Sequence, residues 1–203
     1  MTKLNSTAKK IDTFFKIFHT LLNIAGIALL VGLAIIGAAF LFDLDPTMVG
    51  HGYNTIDIGF LELQIADAYA PDPYHVLKVM AVQSVLSLVV CIFARLCVTC
   101  IRQILQPMTE NAPFSSTVST NLKKLAKYSV ILGIAVNAIQ IVSHVMLVLG
   151  YDLHLLLLSE KITHLEFFFT FDPTFLVVAA VFLLLSYIFR YGEELQQLSD
   201  ETL

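Results

Sequence analysis

Charged residues are scarce in this sequence. They make up 14% of its 203 residues, whereas apolar residues make up 57%. Soluble domains average about 25% charged residues, so a water-soluble globular domain is a poor interpretation. The net charge of -4 says little by itself, because in a membrane protein the informative quantity is the side on which each charge lies. We do not expect direct binding of nucleic acid through a broad basic face. The low charge and high hydropathy therefore predict a protein that lies in a membrane.

Motifs of known catalytic sites are missing as well. The chain contains no G-x-S-x-G nucleophile elbow, no H-E-x-x-H zinc helix and no Gly-rich phosphate loop. No nucleophile, base and oxyanion donors can be named together, so we expect a non-enzymatic protein without a cofactor. Transporters usually carry acids at mid-membrane. The apolar stretches of this chain hold none, which disfavours transport by a single chain.

Cysteine is rare. Cys91, Cys97 and Cys100 all fall in the inner half of one apolar stretch. A redox or zinc site would need a helix that starts after a strand, or a second pair of ligands, and the sequence has neither. We therefore expect packed or lipid-facing thiols, and no structural disulfide in the outer loops.

Long apolar stretches, in contrast, occur four times. Each is long enough to cross the hydrocarbon core of about 30 Å as a helix, and a helix satisfies its backbone hydrogen bonds internally. The predicted fold is therefore an all-α membrane protein, a four-transmembrane-helix bundle that forms a single membrane domain. The predicted spans are residues 18–42, 76–101, 128–150 and 174–191.

Basic residues are distributed unevenly along the chain. Ten of the twelve, all but Lys78 and Lys161, lie in the first tail, in the inner loop 103–127 or at the inner ends of spans. Ten of the sixteen acids lie in the outer loops, residues 43–74 and 151–172. The positive-inside rule then predicts an N-in/C-in protein, with both termini cytoplasmic and residues 192–203 as a cytoplasmic tail.

The end of the inner loop is amphipathic. Residues 119–127 place leucines on one face and lysines on the other. Such a pattern is typical of a short helix that lies at the lipid surface. We therefore expect this segment to rest on the inner face of the membrane.

Both outer loops alternate apolar and polar residues, the pattern of a strand. Residues 55–65 change register near Gly59, which predicts a strand with a bulge. Residues 153–171 alternate on either side of a polar turn, which predicts a hairpin. Together they predict a small β-element on the outer face. An interfacial helix over residues 153–158 is an equally good interpretation of the second loop.

Histidines concentrate near the outer face. Imidazoles among carboxylates are able to bind a divalent metal or to respond to pH. No pair has a recognised ligand spacing, so polar surface residues are the simpler interpretation and the metal candidates are weak. These candidates are His51, His75, His154 and His164.

Three polar residues share one face of the third span. Asn137, Gln140 and His144 are spaced i, i+3 and i+7, and each costs about 1 kcal/mol or more if left unpaired in hydrocarbon. We expect them to face the bundle, with Gln83 or Asn23 as partners. This stripe supports an alternative function, a small transport or immunity protein that acts on a lipid or peptide within the bilayer.

The end of the chain carries the most specific pattern. An A-P-F-S run at 112–115 leads to N-L-K-K-L at 121–125, and the last span runs into RYGEELQQLSDETL. This combination resembles the bacterial four-span membrane protein family catalogued as domain of unknown function 2975, over almost the whole chain. The matching tail positions are Gly192, Leu195, Gln196, Asp200, Glu201, Thr202 and Leu203.

The resemblance implies the bacterial inner membrane and the same topology, and the family has no established activity. It also implies a neighbouring gene for a small helix-turn-helix regulator. In the tail, Leu195 and Leu198 lie one turn apart beside Glu194, a possible helical docking face. We expect a non-enzymatic regulatory or sensory partner of such a cytoplasmic protein, with membrane lipid around it and oligomer formation possible. A solvated helix end is the plainer interpretation of the tail.

Overall fold

The computed structural model describes residues 3–42, 44, 55–57, 62–64, 72–109, 115–151 and 171–201. Four long helices dominate these residues. They are α1 Lys3–Leu41, α2 Pro73–Thr109, α3 Ser116–Tyr151 and α4 Thr174–Glu201. Each contains a segment long and apolar enough to cross a membrane. The prediction of four candidate spanning helices is therefore confirmed.

The helices are longer than the predicted spans. α2, for example, has 37 residues and is about 55 Å long, whereas the hydrocarbon core is about 30 Å thick. Helix extends into both ends of the predicted inner loop 103–127, because α2 continues to Thr109 and α3 begins at Ser116. The parts of the helices that hold most lysines and arginines include the turns that continue outside the hydrocarbon. We call these parts the basic end: residues 3–19 of α1, 95–109 of α2, 116–128 of α3 and 187–201 of α4.

α2 and α4 begin with the same Asp-Pro pair. The Tyr74 N–H donates to Asp72 Oδ1 at 3.1 Å, and the Thr174 N–H donates to Asp172 Oδ1 at 2.9 Å. The Thr174 hydroxyl also donates to Asp172 Oδ1. An aspartate cap satisfies an N–H at the helix start, and the proline that follows has no N–H to satisfy. The helix starts are thus fixed by local sequence.

Two short strands lie between α1 and α2. β1 Thr55–Asp57 and β2 Glu62–Gln64 pair antiparallel, with Thr55 opposite Gln64. The sequence predicted one bulged strand here, and its two halves instead pair with each other. Closing so short a connection costs little chain entropy, which favours local pairing. The hairpin or interfacial helix predicted for 153–171 lies outside the described residues, which resume at Phe171.

The chain forms two compact units, 1–27 with 89–136 and 172–203, and 28–88 with 137–171. In the second unit, Ile36 and Ala39 of α1 are buried together with Leu77 of α2. Small side chains at such contacts let two helices approach closely, which maximises van der Waals packing. α1 and α2 therefore share an apolar contact in that unit.

The first unit has two close helix approaches. The Cys91 thiol of α2 lies 3.1 Å from the Leu22 carbonyl oxygen of α1. A Cβ added to Gly133 of α3 would collide with the ring of Phe175 on α4. Cys91 and Cys100 are buried, which matches the expectation of packed thiols.

Candidate functional site

The first turns of α3 form the centre of the basic end. Ser115 caps this helix, since its Oγ accepts the Thr117 N–H at 3.2 Å. The apolar face that follows is at most 5% exposed. The predicted amphipathic helix at 119–127 is present, with its lysines exposed. A side chain so deeply covered by protein cannot contact lipid, so the prediction that this helix rests on the lipid surface is wrong. The buried residues are Val118, Leu122, Leu125 and Ala126.

α4 holds this part of α3 through two contacts. The fully buried Ser186 donates its hydroxyl to the Ser119 carbonyl oxygen at 2.8 Å. One turn along α3, the Lys123 ammonium lies 5.6 Å from the ring centre of Tyr187, a cation–π distance. A carbonyl oxygen has two lone pairs, so Ser119 can accept this bond in addition to its own helical bond. The two contacts fix the register of α4 on α3.

An ion pair joins the basic ends of α1 and α2. Arg102 Nε lies 2.8 Å from Asp12 Oδ1, and both side chains are partly exposed. Exposed pairs of this kind stabilise by about 0–1 kcal/mol. Its larger effect is on charge, because the one acid of the first tail is neutralised and the surrounding lysines give this region a positive field.

Two polar cavities open beside these contacts. One of about 600 Å³ lies between the end of α2 and the start of α3, and one of about 650 Å³ contains the Asp12 and Arg102 pair. Gln103 and Gln106 line both. The first cavity is lined by Gln103, Gln106, Pro107, Ser115, Ser116, Thr117, Thr120, Asn121 and Lys124. The second is lined by Asp12, Thr13, Thr99, Arg102, Gln103, Leu105 and Gln106.

The side chains that line these cavities carry mainly amides and hydroxyls, with one cation in each cavity. Pro107 has no N–H to give to the Gln103 carbonyl one turn earlier. Asn121 donates to the Thr117 carbonyl oxygen at 2.9 Å, while its buried Oδ1 has no hydrogen-bond partner. Such walls suit polar or charged side chains of a partner.

The predicted polar stripe does not form one site. Asn137 is buried, but Gln140 and His144 are exposed on the outside of α3. His144 Nδ1 lies 2.7 Å from the Gln140 carbonyl oxygen of its own helix. A polar side chain that bonds its own backbone does not need to face a neighbouring helix. The prediction that all three face the bundle is therefore wrong for Gln140 and His144.

The predicted partners of the stripe bond elsewhere. Gln83 of α2 donates to Ser143 Oγ at 2.6 Å, so its partner is a neighbour of the stripe. Asn23 lies 3.4 Å from His19 Nδ1, one turn away on α1. The sequence analysis did not identify Ser143 as a partner. Its hydroxyl donates to the Ile139 carbonyl oxygen of its own helix, and such a bond leaves no pattern in the sequence.

The structure describes one of the four metal candidates, His75. His51, His154 and His164 lie outside the described residues. His75 lies in the first turns of α2, where its Nε2 is buried without a hydrogen-bond partner. Among the described parts of the chain, no three His, Cys, Asp or Glu side chains group as metal ligands.

The tail is helical as far as Glu201. Gly192 is partly buried, Glu194 accepts from Arg190 Nε at 3.3 Å, and Leu195 and Leu198 are exposed. Gln196 and Glu201 are also exposed. The side chain of Asp200, and all of Thr202 and Leu203, lie outside what the structure describes.

Comparison with known proteins adds no relative. No protein-family model, no curated protein and no solved structure matches the chain. The similarity to the four-span family remains a prediction from the motifs.

Proposed function

We propose that this chain is a non-enzymatic regulatory protein of the bacterial inner membrane, whose basic end binds a soluble cytoplasmic protein. In this proposal both termini are cytoplasmic. The distribution of charge supports that orientation, because ten of the twelve basic residues, all but Lys78 and Lys161, lie at or near the basic end.

The length of α4 is the observation on which the proposal rests. Its 28 residues form a helix about 42 Å long, whereas the hydrocarbon core is about 30 Å thick. The final turns therefore extend into water as a formed helix with exposed Tyr191, Leu195 and Leu198. A preformed amphipathic helix is one of the recurring forms that partner proteins recognise.

The neighbouring cavities supply polar contacts for the same partner. Lys124 and the hydroxyls at the start of α3 can bind carboxylates of a docked protein. The family resemblance suggests the kind of partner, a small helix-turn-helix regulator. Docking such a protein at the membrane would hold it away from DNA.

The signal in this proposal comes from the outer face. The β1–β2 pair, together with the second outer loop, would form the small β-element predicted there. Conformational changes in these loops would reach the basic end along helices that contribute to both compact units.

Deletion of residues 192–203 tests the docking proposal. Full-length and truncated chains are purified in mild detergent and mixed with the helix-turn-helix protein of the adjacent gene. We expect the full chain to retain that protein and the truncated chain to lose it. Equal retention by both would remove the proposal, provided that both chains elute as single species with the same helix content.

A further inference from the structure

The first cavity, between the end of α2 and the start of α3, has the charge of an anion site. Among the described residues that line it, Lys124 is the one charged side chain and none is acidic. Hydroxyls of Ser116, Thr117 and Thr120 lie on the same wall. An ammonium and hydroxyls all donate hydrogen bonds, which an oxyanion accepts. The cavity therefore favours a ligand with a negatively charged oxygen.

Asn121 adds a hydrogen-bond acceptor to this wall. It follows Thr117 by one turn and precedes Lys124 by one turn, so the three share the face of α3 that lines the cavity. Asn121 is 3% exposed. Its Nδ2 donates to the Thr117 carbonyl oxygen, whereas its buried Oδ1 has no hydrogen-bond partner. A buried acceptor without a donor is unfavourable. The ligand should therefore supply a hydrogen-bond donor as well as a negative charge.

Contacts with α4 indicate the depth of the cavity in the membrane. The uncharged part of α4 ends at Arg190. One turn before it, Ser186 donates to the Ser119 carbonyl oxygen, and the next residue, Tyr187, lies beneath the Lys123 ammonium. Ser119 and Lys123 belong to the turns of α3 that form the cavity wall. Lipid phosphates lie where hydrocarbon gives way to water, so a headgroup is within reach of the cavity.

We propose that the first cavity binds a phosphoglycerol group, the headgroup of phosphatidylglycerol. Its phosphate would pair with Lys124 and the hydroxyls of α3, and its glycerol hydroxyls would donate to Asn121 Oδ1. Basic pockets between membrane helices on the cytoplasmic side are known sites for anionic headgroups. The cavity volume of about 600 Å³ lies within the range of about 300–1,000 Å³ that small-molecule sites occupy.

The charge of the basic end favours this headgroup over a zwitterionic one. An ethanolamine headgroup also carries a hydrogen-bond donor, but that donor is a second cation. It would lie beside Lys124 without an acid among the described lining residues to pair with it. Glycerol supplies the donor without the charge, so the ligand as a whole stays anionic.

The inference deepens the proposed function and rests on it in one respect. Lys124 is also a contact for carboxylates of the docked protein. An ammonium that is paired with a phosphate is less available to a carboxylate, so a bound headgroup would weaken docking. The tests of the headgroup use the purified full chain alone. A failure of headgroup binding and a failure of partner docking are therefore separate results.

Two lipids that differ only in their hydroxyls test the role of the glycerol. Phosphatidylpropanol has the same phosphodiester charge as phosphatidylglycerol and the same number of headgroup carbons, but no hydroxyl donor. Each lipid, with identical acyl chains, is titrated into the full chain in uncharged detergent micelles. The dissociation constant is taken from the rise of the unfolding temperature with lipid concentration. We expect phosphatidylglycerol to bind about fivefold more tightly, the factor that one net hydrogen bond supplies. Equal affinity would overturn the proposal.

Substitution of Lys124 and Lys127 separates the cavity from the general positive charge of the basic end. Both lysines are exposed on α3, but Lys127 is outside the described lining of both cavities. Lys124→Met should weaken the binding of both lipids about tenfold, as expected for a lost charge-assisted hydrogen bond. Lys127→Met should weaken it about twofold or less. Equal losses would refute the site, because lipid would then be held by the whole basic surface.

Asn121→Leu tests the acceptor itself. Leucine is similar in size and has no polar atom that would remain unpaired. The preference for phosphatidylglycerol over phosphatidylpropanol should disappear, while the affinity for phosphatidylpropanol should stay the same. A preference that persists would contradict the role of Asn121 Oδ1. The two lysine variants decide the question of the site if Asn121→Leu does not fold.

A soluble probe identifies the source of the group. Glycerophosphoglycerol has the same phosphodiester and hydroxyls without acyl chains, and it is titrated in the same way. Tighter binding of the lipid supports a membrane source, and equal binding supports a soluble ester as the ligand. If neither compound binds, water alone occupies the cavity and the proposal is overturned.

Discussion

Ser186 of α4, fully buried, donates its hydroxyl to the main-chain carbonyl of Ser119 on α3, with 2.8 Å between the oxygens. This bond joins a serine in a predicted span to a residue that was predicted to lie in a surface segment. It places the first turns of α3 within packed protein. This part of the basic end is therefore packed protein, and it is the surface to which the proposed partner would bind.

Substitution of Ser186 measures how much this contact stabilises the protein. Ser186→Ala should cost about 1 kcal/mol, the net value of one hydrogen bond. Ser186→Leu should cost about 1–3 kcal/mol, because the larger side chain has no room at a fully buried site. The measurement is reversible unfolding in mixed detergent micelles. Ser199→Leu, at an exposed serine of the same helix, is the control, and it should change stability by about 0.5 kcal/mol or less.

Gly133 and Gly32 should respond in opposite ways to alanine. Alanine is favoured over glycine in a helix by about 1 kcal/mol, and a Cβ at Gly32 meets no atom within 4 Å. We therefore expect Gly32→Ala to be neutral or stabilising. A Cβ at Gly133 collides with the ring of Phe175 and also with its Cβ, which no rotation of the side chain moves. Gly133→Ala should thus destabilise by about 1–3 kcal/mol.

Thermal unfolding of the two glycine variants checks this difference. Replacement of Phe175 by glycine should remove the added cost of Gly133→Ala, because glycine has neither the Cβ nor the ring that the new methyl group would meet. If both alanine variants have equal stability, the close approach of α3 and α4 at Gly133 is not present.

The Asp12 and Arg102 pair should contribute little to stability and should depend on salt. A double-mutant cycle with Asp12→Asn and Arg102→Gln should give a coupling of about 0.5–1 kcal/mol at low salt. At about 0.5 M salt the coupling should shrink, because both groups are partly exposed and are screened. The Arg190 and Glu194 pair, one turn apart in a single helix, is the comparison, with about 0.3–0.5 kcal/mol expected. A coupling energy that does not change with salt would contradict the partial exposure of these two side chains.

The start of α4 should depend on pH through Asp172. The hydroxyl of Thr174, and then its N–H, donate to this carboxylate and lower the pKa of Asp172, against a small opposing desolvation. Because the pKa is lower in the folded state, the cap is fully present above the ordinary aspartate pKa of about 4. It is lost as pH falls through the lower folded pKa.

Titration of Asp172 by NMR checks this assignment. Thr174→Val removes the hydroxyl and keeps the N–H, so it should raise the pKa of Asp172 toward its ordinary value. Thr174→Ser keeps the hydroxyl and should leave the pKa low. Identical titration of the two variants would show that the hydroxyl is not the main cause.

The helix ends show how far the sequence can be used for prediction. A span such as residues 174–191 is readable because hydrocarbon accepts only a long apolar helix. Residues 103–109 and 116–127 are polar enough for either a loop or a helix, since water can satisfy their backbone groups. The amphipathic pattern of residues 119–127 predicted a helix, but it did not predict what covers the apolar face: Val118 and Leu125 are buried, and their burial depends on residues distant in sequence.

The candidate site shows a similar division. Periodicity places Asn137, Gln140 and His144 on one face of α3. It does not predict whether that face packs against other helices, nor that His144 lies near the backbone of its own helix. No sequence pattern predicts the bond between Ser186 and Ser119, because the two residues lie on different helices. Side-chain partners between helices are set by rotation and depth of packing, and neither quantity is local.

The sequence by itself determined that four helices are apolar enough to cross a membrane and where aspartate caps start two of them. These properties depend on the solvent that each segment meets and on contacts within one turn of chain. Only the tertiary structure decided that the basic end is packed and that α4 presents an apolar face outward. Those properties depend on which helix lies against which, and burial between helices is a sum over residues far apart in the chain.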